Sequence, residues 1–238
     1  MSSRRVYQSL PSLLTATKIR LETQLPRSSF YHAAKPKLRL NSRTALWEGR
    51  IFLPKTSDGR ADAPSPSRIA GIIPKAPNEI WTGDITYIKT NMEWRYLAVV
   101  LDRYSRRVAG QSLADHMRSD LVCDALKMAI ATRSNIKGVI FHSDRGSQYG
   151  SCPFRGLLKS PHRIQSMSAR ANPYDNAWSE SFIGTLKKEM GELLHKLDPQ
   201  QIQLNCFHYI EGYYNTQRRH SALGYISPSK FEAIHSLN

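Results

Sequence analysis

Between Glu79 and Ala114 three runs rich in β-branched and aromatic residues follow one another with almost nothing between them: "EIWTGDITYIK", "RYLAVVLDRYS" and "RRVAGQSLA". Such composition favours strands. The "NME" and "DRYS" stretches are long enough only for hairpin connections, so the three strands must form an antiparallel meander. The centre of the second run is apolar at successive positions, so it is expected to be covered on both faces. Cover is available downstream. "SDLVCDALKMAIATR" carries Leu121, Ala125, Met128 and Ala129 at helical spacing, with Ser119 read as its N-cap. "GVIFHSD" reads as a fourth strand and "IQSMS" as a fifth. "DNAWSESFIGTLKKEM" reads as a helix with Asp175 at its N-cap and two lysines toward its C-terminal end, matching the helix dipole. A last helix is expected from about Pro199 to Thr216, ending in the basic "QRRH". This order predicts a mixed α/β layer, and excludes a bundle, a sandwich and a doubly wound sheet.

Residues 1–74 lack sustained periodicity, and "KTSDGRADAPSPSR" reads as an exposed linker. A division follows: a basic N-terminal region over 1–74, then a core with a C-terminal helical segment over 75–238. Charge separates the two parts as well. The chain has 34 Lys+Arg against 19 Asp+Glu, a net +15. Residues 1–74 hold 13 basic against 4 acidic residues, and the remainder 21 against 15. Such an excess points to a polyanion partner, since Lys and Arg that neutralise phosphates release condensed counterions. Cys123, Cys152 and Cys206 are widely spaced and odd in number. That speaks against a disulfide framework or a zinc knuckle, and fits a reducing cytosol. No uncharged apolar stretch approaches a membrane span, and the polar-interrupted N-terminus does not read as a signal peptide. There is no G-x-x-x-x-G-K-[ST] and no G-x-S-x-G, so neither ATP hydrolysis nor a serine nucleophile is implied.

In so basic a chain, an apolar strand that ends in an acid, "IFHSDRGSQY", needs a reason. Asp84 lies in the first strand, Asp144 at the end of the fourth, and Glu180 one turn into a helix. If strands one and four are neighbours, the two aspartates sit side by side, and a helix across the sheet would bring Glu180 to them. Three carboxylates together repel and are costly to bury unpaired. A divalent cation such as Mg²⁺, a hard ion that takes oxygen ligands, removes the difficulty. Two such ions would suit an in-line phosphoryl displacement. On pattern alone, ordinary surface or turn acids are the better explanation of these residues, and Asp102 and Asp115 are as eligible.

Five stretches, "WTGDITYI", "YLAVVLDRYSRRVAG", "HSDRGSQY", "SMSARANPYDNAWSESFIGTLKKE" and "YIEGYYNTQRRHSALGYISPSKFE", appear in an order that resembles the catalytic core of DDE-class insertion-sequence transposases. That bacterial group has the core closest to retroviral integrase. The resemblance covers about residues 76–235, with 35 residues between Asp144 and Glu180. It implies a ribonuclease H-like fold, a five-stranded mixed sheet flanked by helices, here with a basic N-terminal extension. It implies that Asp84, Asp144 and Glu180 are the catalytic, metal-binding triad, using Mg²⁺ with Mn²⁺ as a substitute. The expected activity is metal-dependent cleavage and strand transfer on element ends and target DNA, in the cytoplasm at the nucleoid, by at least a dimer. "TKIRLETQLPRSSFYHAAKPK" resembles only the end of the family's helix-turn-helix region, with "LPRSSFYH" as the start of its recognition helix. The chain thus resembles a second-reading-frame product with a shortened N-terminus and a first-frame helix-turn-helix partner. The alternatives are a non-catalytic DNA-binding remnant or regulator, and a nuclease of this fold that never joins strands.

Around the triad, Arg145 and Gln148 follow the strand tip, where a DNA strand would pass. Arg145 is also suited to structuring that loop, as is Ser147. Asn176 precedes Glu180 by one turn and reads equally as a DNA contact or as helix-start polarity. Gly184 reads as tight packing. Lys187 and Lys188 suit either phosphates or a solvated face. "YYNTQRRHSALGY" offers Arg218 and Arg219 as DNA contacts, with Tyr213 and Tyr214 as core alternatives. His142 reads as a satisfied structural histidine rather than a metal ligand, and Trp81 and Trp94 as core or hairpin packing.

Overall fold

The computed structural model describes residues 65–159, 162–168 and 177–235. The three close-set runs form the meander: β1 (Ile80–Lys89), β2 (Trp94–Asp102) and β3 (Val108–Ala114). β1 and β2 pair antiparallel from Trp81↔Asp102 to Lys89↔Trp94. Thr90 closes their hairpin, since its Oγ1 donates to Glu93 O and accepts from Met92 N and Glu93 N. Trp94 packs edge-on against Tyr87 at this end. β2 pairs antiparallel with β3, with an irregularity between Val100 and Leu101.

The chain then crosses through α1 (Ser119–Thr132) to β4 (Ile140–Ser143), parallel to β1. α2 (Ser147–Gly150) and α3 (Cys152–Lys159) lead to β5 (Ile164–Met167), parallel to β4. The result is the expected five-stranded mixed sheet, in the order β3-β2-β1-β4-β5. Asn176 and Asp175 lie outside the described residues, as does the region read as a helix-turn-helix end. The last residues of the stretch read as a linker are packed: Arg68 N donates to Ser166 Oγ of β5 at 2.8 Å, and Ile69 is buried.

Alternation along the central strands divides the core. Trp81, Ile85, Ala98 and Val100 face α1 and α3 and meet Leu121, Ala125, Leu126, Ala129, Phe154 and Leu158. Leu97, Val99 and Leu101 face the other way, onto Phe182, Leu186, Met190 and Leu194 of α4 (Ala177–Leu194). Each fully buried Leu or Phe side chain contributes about 2 kcal/mol through lost water contact. Gly110 sets the distance of α1 from β3. A Cβ there would collide with the Ala125 carbonyl oxygen and stand 2.6 Å from Ala129 N, both immovable backbone atoms.

Two local expectations change. Ser119 is the first residue of α1, and Arg118 is the N-cap, with no side-chain bond. The Asp120 carboxylate accepts from Leu121 N instead, and serves the helix start itself. The last long helix is broken in character. α5 (Pro199–Phe207) opens with an Asp198–Gln201 capping box and Pro199 in its first turn, then widens into a π turn over His208–Tyr214. Asn215 follows, and its amide donates to Val108 O and accepts from Val108 N, both at 3.0 Å. One side chain thus supplies both backbone partners of a strand residue.

Asp102, as eligible a catalyst as any in sequence, is structural. It is fully buried and accepts from Ser105 N, Tyr104 N and Asn78 N. Arg133, just past α1, bridges it to Glu232 of α6 (Pro228–His235). Glu232 also accepts from Ser105 Oγ at 2.6 Å and Arg107 Nη1 at 3.0 Å. Burial raises its pKa, but the bonds from Arg133, Ser105 and Arg107 outweigh that and hold it below the usual carboxylate range. Asp115 is exposed, 3.9 Å from Arg95.

Candidate active site

The β1–β4 register puts Ile80 beside Ile140 and Thr82 beside His142. Continued by one more alternation, it sets Asp84 level with Asp144, which stands just past the end of β4. Cross-strand partners share a face, and Asp84 pairs with Val99, so Asp84 lies on the α4 side of the sheet. Its Oδ1 accepts from Ile85 N at 2.8 Å. Asp144 Oδ1 accepts from Gly146 N at 3.0 Å, which folds the "DRG" turn back on the carboxylate. Gly146 leaves room for both acceptors: a Cβ would lie 2.7 Å from Gln148 Oε1 and 3.1 Å from Asp144 Oδ1, so the Gln148 side chain would have to shift. Arg145 structures the same turn, with Nε donating to Ser168 O at 2.9 Å.

α4 runs alongside β1 in the same direction. Near its start, Trp178 lies under the guanidinium groups of Arg103 and Arg106, in the turn after β2. Two and a half turns later, Lys187 Nζ sits 4.0 Å over the Tyr87 ring of β1. Burial lowers the Lys187 pKa, and the charge of Asp84 opposes that, so the ammonium is close to this acid. Glu180 is exposed and precedes Lys187 by almost two full turns on the same helix face, about 10 Å along the axis. Gly184 lies between them. A Cβ there would meet nothing within 4 Å among the described residues, so the expectation of tight packing is wrong: Gly184 is exposed.

Asp84 and Asp144 both act on Tyr149, and Asp84 acts on Lys187; Glu180 is exposed on α4. Among the described residues, no three His, Cys, Asp or Glu side chains converge closely enough to hold a metal ion. Two features fit a hard cation nonetheless: a pair of level carboxylates, and Gln148 Oε1, a buried oxygen without a donor.

Tyr149, absent from the sequence reading, lies beneath the acids. Its hydroxyl pKa is pushed well up, by burial first and then by the charges of Asp84 and Asp144. Its signal in sequence was only its place five residues after Asp144. His142 is the satisfied structural histidine expected. Ser166 Oγ accepts from Arg68 N and so can donate to His142 Nδ1 at 2.9 Å, leaving Nε2 to donate to Ser168 Oγ at 3.1 Å. Neither ring nitrogen is left for a metal.

The remaining basic residues are scattered. Lys188 is exposed on α4. Arg218 is held by Glu189, Nε to Oε1 at 2.9 Å. Arg219 is exposed. Tyr214 is buried and Tyr213 is at the surface, so the aromatic–basic segment is partly core and partly surface. Among the described residues no helix is long and apolar enough to cross a membrane.

Residues 74–173 and residues 163–228 each match a family described as Integrase core domain. Over 156 residues the chain is 46% identical to the transposase InsF for insertion sequence IS3A of Escherichia coli (strain K12), a stretch covering 66% of this chain and 54% of that one. It is 43% identical over 161 residues to the transposase for insertion sequence element IS904 of Lactococcus lactis subsp. lactis (strain IL1403), covering 68% of this chain and 64% of that one. The chain thus spans about half the length of the first relative and less than two thirds of the second. Among solved structures, the HTLV-2 integrase catalytic core domain in complex with magnesium, in its trimeric form, matches with a TM-score of 0.54 at 20% identity. The match covers 67% of this chain and 99% of that one, and the shared architecture is the ribonuclease H-like fold.

Proposed function

The chain belongs to the integrase core family through residues 74–228, and from that premise we propose that it is the catalytic subunit of an insertion-sequence transposase, cutting DNA at element ends and joining the exposed 3′-hydroxyl to a target. What supports the reading is the parallel pairing of β1 and β4, which ends at Thr82 and His142, two residues before Asp84 and Asp144, together with the charge of both acids on Tyr149. Asp84, Asp144 and Glu180 would hold Mg²⁺, or Mn²⁺ in its place. Bound there, the metal supplies activation of the attacking water or hydroxyl and stabilisation of the leaving oxygen.

The chain's own residues do the rest. Gly146 N fixes the Asp144 carboxylate for binding. Tyr149 keeps its proton and so adds no further negative charge beneath the acids. Lys187 offsets the charge of an incoming phosphate, with Lys188, Arg145, Gln148 and Asn176 further along the strand's path. Residues 1–74, with 13 basic side chains, add non-specific grip on DNA. The working form is at least a dimer, acting in the cytoplasm at the nucleoid, and a first-frame helix-turn-helix protein is its expected partner.

A second reading is a DNA-binding regulator derived from such a core, which the basic residues 1–74 would also suit. Cleavage and strand transfer on DNA from the gene's own flanks separate the two, with Mg²⁺ or Mn²⁺, comparing wild type with Glu180→Gln. Activity lost in the variant with DNA binding retained is the expected result. Strand transfer that survives Glu180→Gln removes the triad assignment, and a wild type that binds without cutting selects the regulator.

A further inference from the structure

Glu180, Gly184 and Lys187 lie on one face of α4. On another face, Trp178, Ser181 and Thr185 border a solvent-open cleft of about 330 Å³, closed on its other sides by Arg106 in the β2–β3 turn and by Arg218–Ala222 and Tyr225. The volume is in the range of small-ligand clefts and far too small for a duplex. No acidic residue lines it, while three arginines do.

Two of those arginines lack a carboxylate partner. Arg218 is neutralised by Glu189. Arg106 and Arg219 have no ion pair among the described residues. Arg106 is also held in the left-handed region, at φ 61°, which a side chain other than glycine adopts at a cost. That backbone lays its guanidinium 4.3 Å over the Trp178 ring, a stacked arrangement that presents the N–H edge to a ligand. Burial lowers the pKa of Arg106, so this cation stands in a partly desolvated place with no carboxylate partner among the described residues. His220, also on the cleft wall, is buried edge-on against Tyr214, and its Nε2 has no hydrogen-bond partner. At the mouth, Tyr225 leaves 70% of its surface exposed. Guanidinium groups, hydroxyls and a free aromatic face together suit a phosphate with a stacking base.

We propose that this cleft takes one unpaired nucleotide of a DNA strand, with its phosphate between Arg106 and Arg219 and its base on Tyr225. The assignment rests on the DNA substrate proposed above and places a second hold on that strand, across α4 from the acids. It accounts for the stacked Arg106 and for an exposed tyrosine beside a basic wall.

The test measures binding of the full chain to a labelled single-stranded oligothymidylate and to a blunt duplex, by fluorescence anisotropy in EDTA across a salt series. Arg219→Gln and Tyr225→Ala alter exposed side chains, so the fold is retained; Arg106→Gln is the third variant. Tyr225→Ala should weaken single-strand binding about tenfold. Arg219→Gln should lower the salt slope by about 0.7, one phosphate's share. Both should leave duplex binding unchanged. Wild-type affinity for the single strand in Arg219→Gln and Tyr225→Ala, or equal losses on the duplex, overturns the proposal; so does tighter, cleft-dependent binding of oligouridylate. Because no metal is present, loss of the transposase reading through the Glu180→Gln assay leaves this result standing. A chain that cuts DNA through its acids but binds strands normally in the cleft variants loses only the cleft.

Discussion

Substituting Gly83 by alanine should damage both the core and the acids above it. Gly83 precedes Asp84, and its Cα faces the aromatic cluster of Phe141, Tyr149 and Phe154. An added Cβ would stand 3.0 Å from Phe141 Cε1, closer still to Cζ, and 3.3 Å from Tyr149 Cε1. Carbon atoms prefer about 3.5–4.0 Å. Phe141, Tyr149 and Phe154 are all at most 2% exposed, so no ring can swing into a void. Overpacking of this kind costs about 1–3 kcal/mol, and replacing glycine in a strand returns about 0.5–1 kcal/mol. The net loss is about 1–2 kcal/mol, or about 2–8 °C in Tm for a unit of this size. Thermal melts followed by circular dichroism measure it. Metal-dependent cleavage at 25 °C, where the variant is still folded, should fall more than the stability does, since Asp84 and Tyr149 both move. Adding Phe141→Leu should restore part of both. A Gly83→Ala protein that melts at or above wild type refutes the packing argument.

Arg133→Met should cost about 3–5 kcal/mol, because it strands the buried carboxylates of Asp102 and Glu232 without their shared cation; chemical denaturation measures it, and a loss under about 1 kcal/mol would show that the network is dispensable. His220 has its pKa lowered to about 4, by burial first and then by Arg218 and Arg106. The unfolded chain therefore binds this proton in the window from about 6.5 down to about 4 while the folded one does not, so stability falls as pH drops through it, by about 3 kcal/mol at most. His220→Phe should flatten that slope, and denaturation curves that stay parallel in the two proteins from pH 7 to 4 would count against it.

Much was legible because it depends on local pattern. The meander followed from three β-rich runs with no room for anything but hairpins, and the crossover from one apolar helical face before "GVIFHSD". The places that failed are those where the folded geometry decides between local alternatives or brings in distant partners. Ser119 looked like an N-cap, but Asp120 serves the helix start. Gly184 looked like a packing glycine, but its neighbours across the gap are absent. Asp102 looked as catalytic as Asp144 until Arg133 and Glu232, 31 and 99 residues apart in chain from their partners in this network, arrived around it.

By itself the sequence determined that a five-stranded mixed sheet would form and which acids stood at strand positions, since hydrophobic period and connection length need only neighbours along the chain. It also carried enough motif order to indicate the family. Only the tertiary structure decided that Asp84 and Asp144 are level, that Tyr149 lies beneath them, and that Arg106 stacks on Trp178 at a cleft across α4. Those arrangements depend on register between strands and on which helix face meets the sheet, and packing between distant segments sets both.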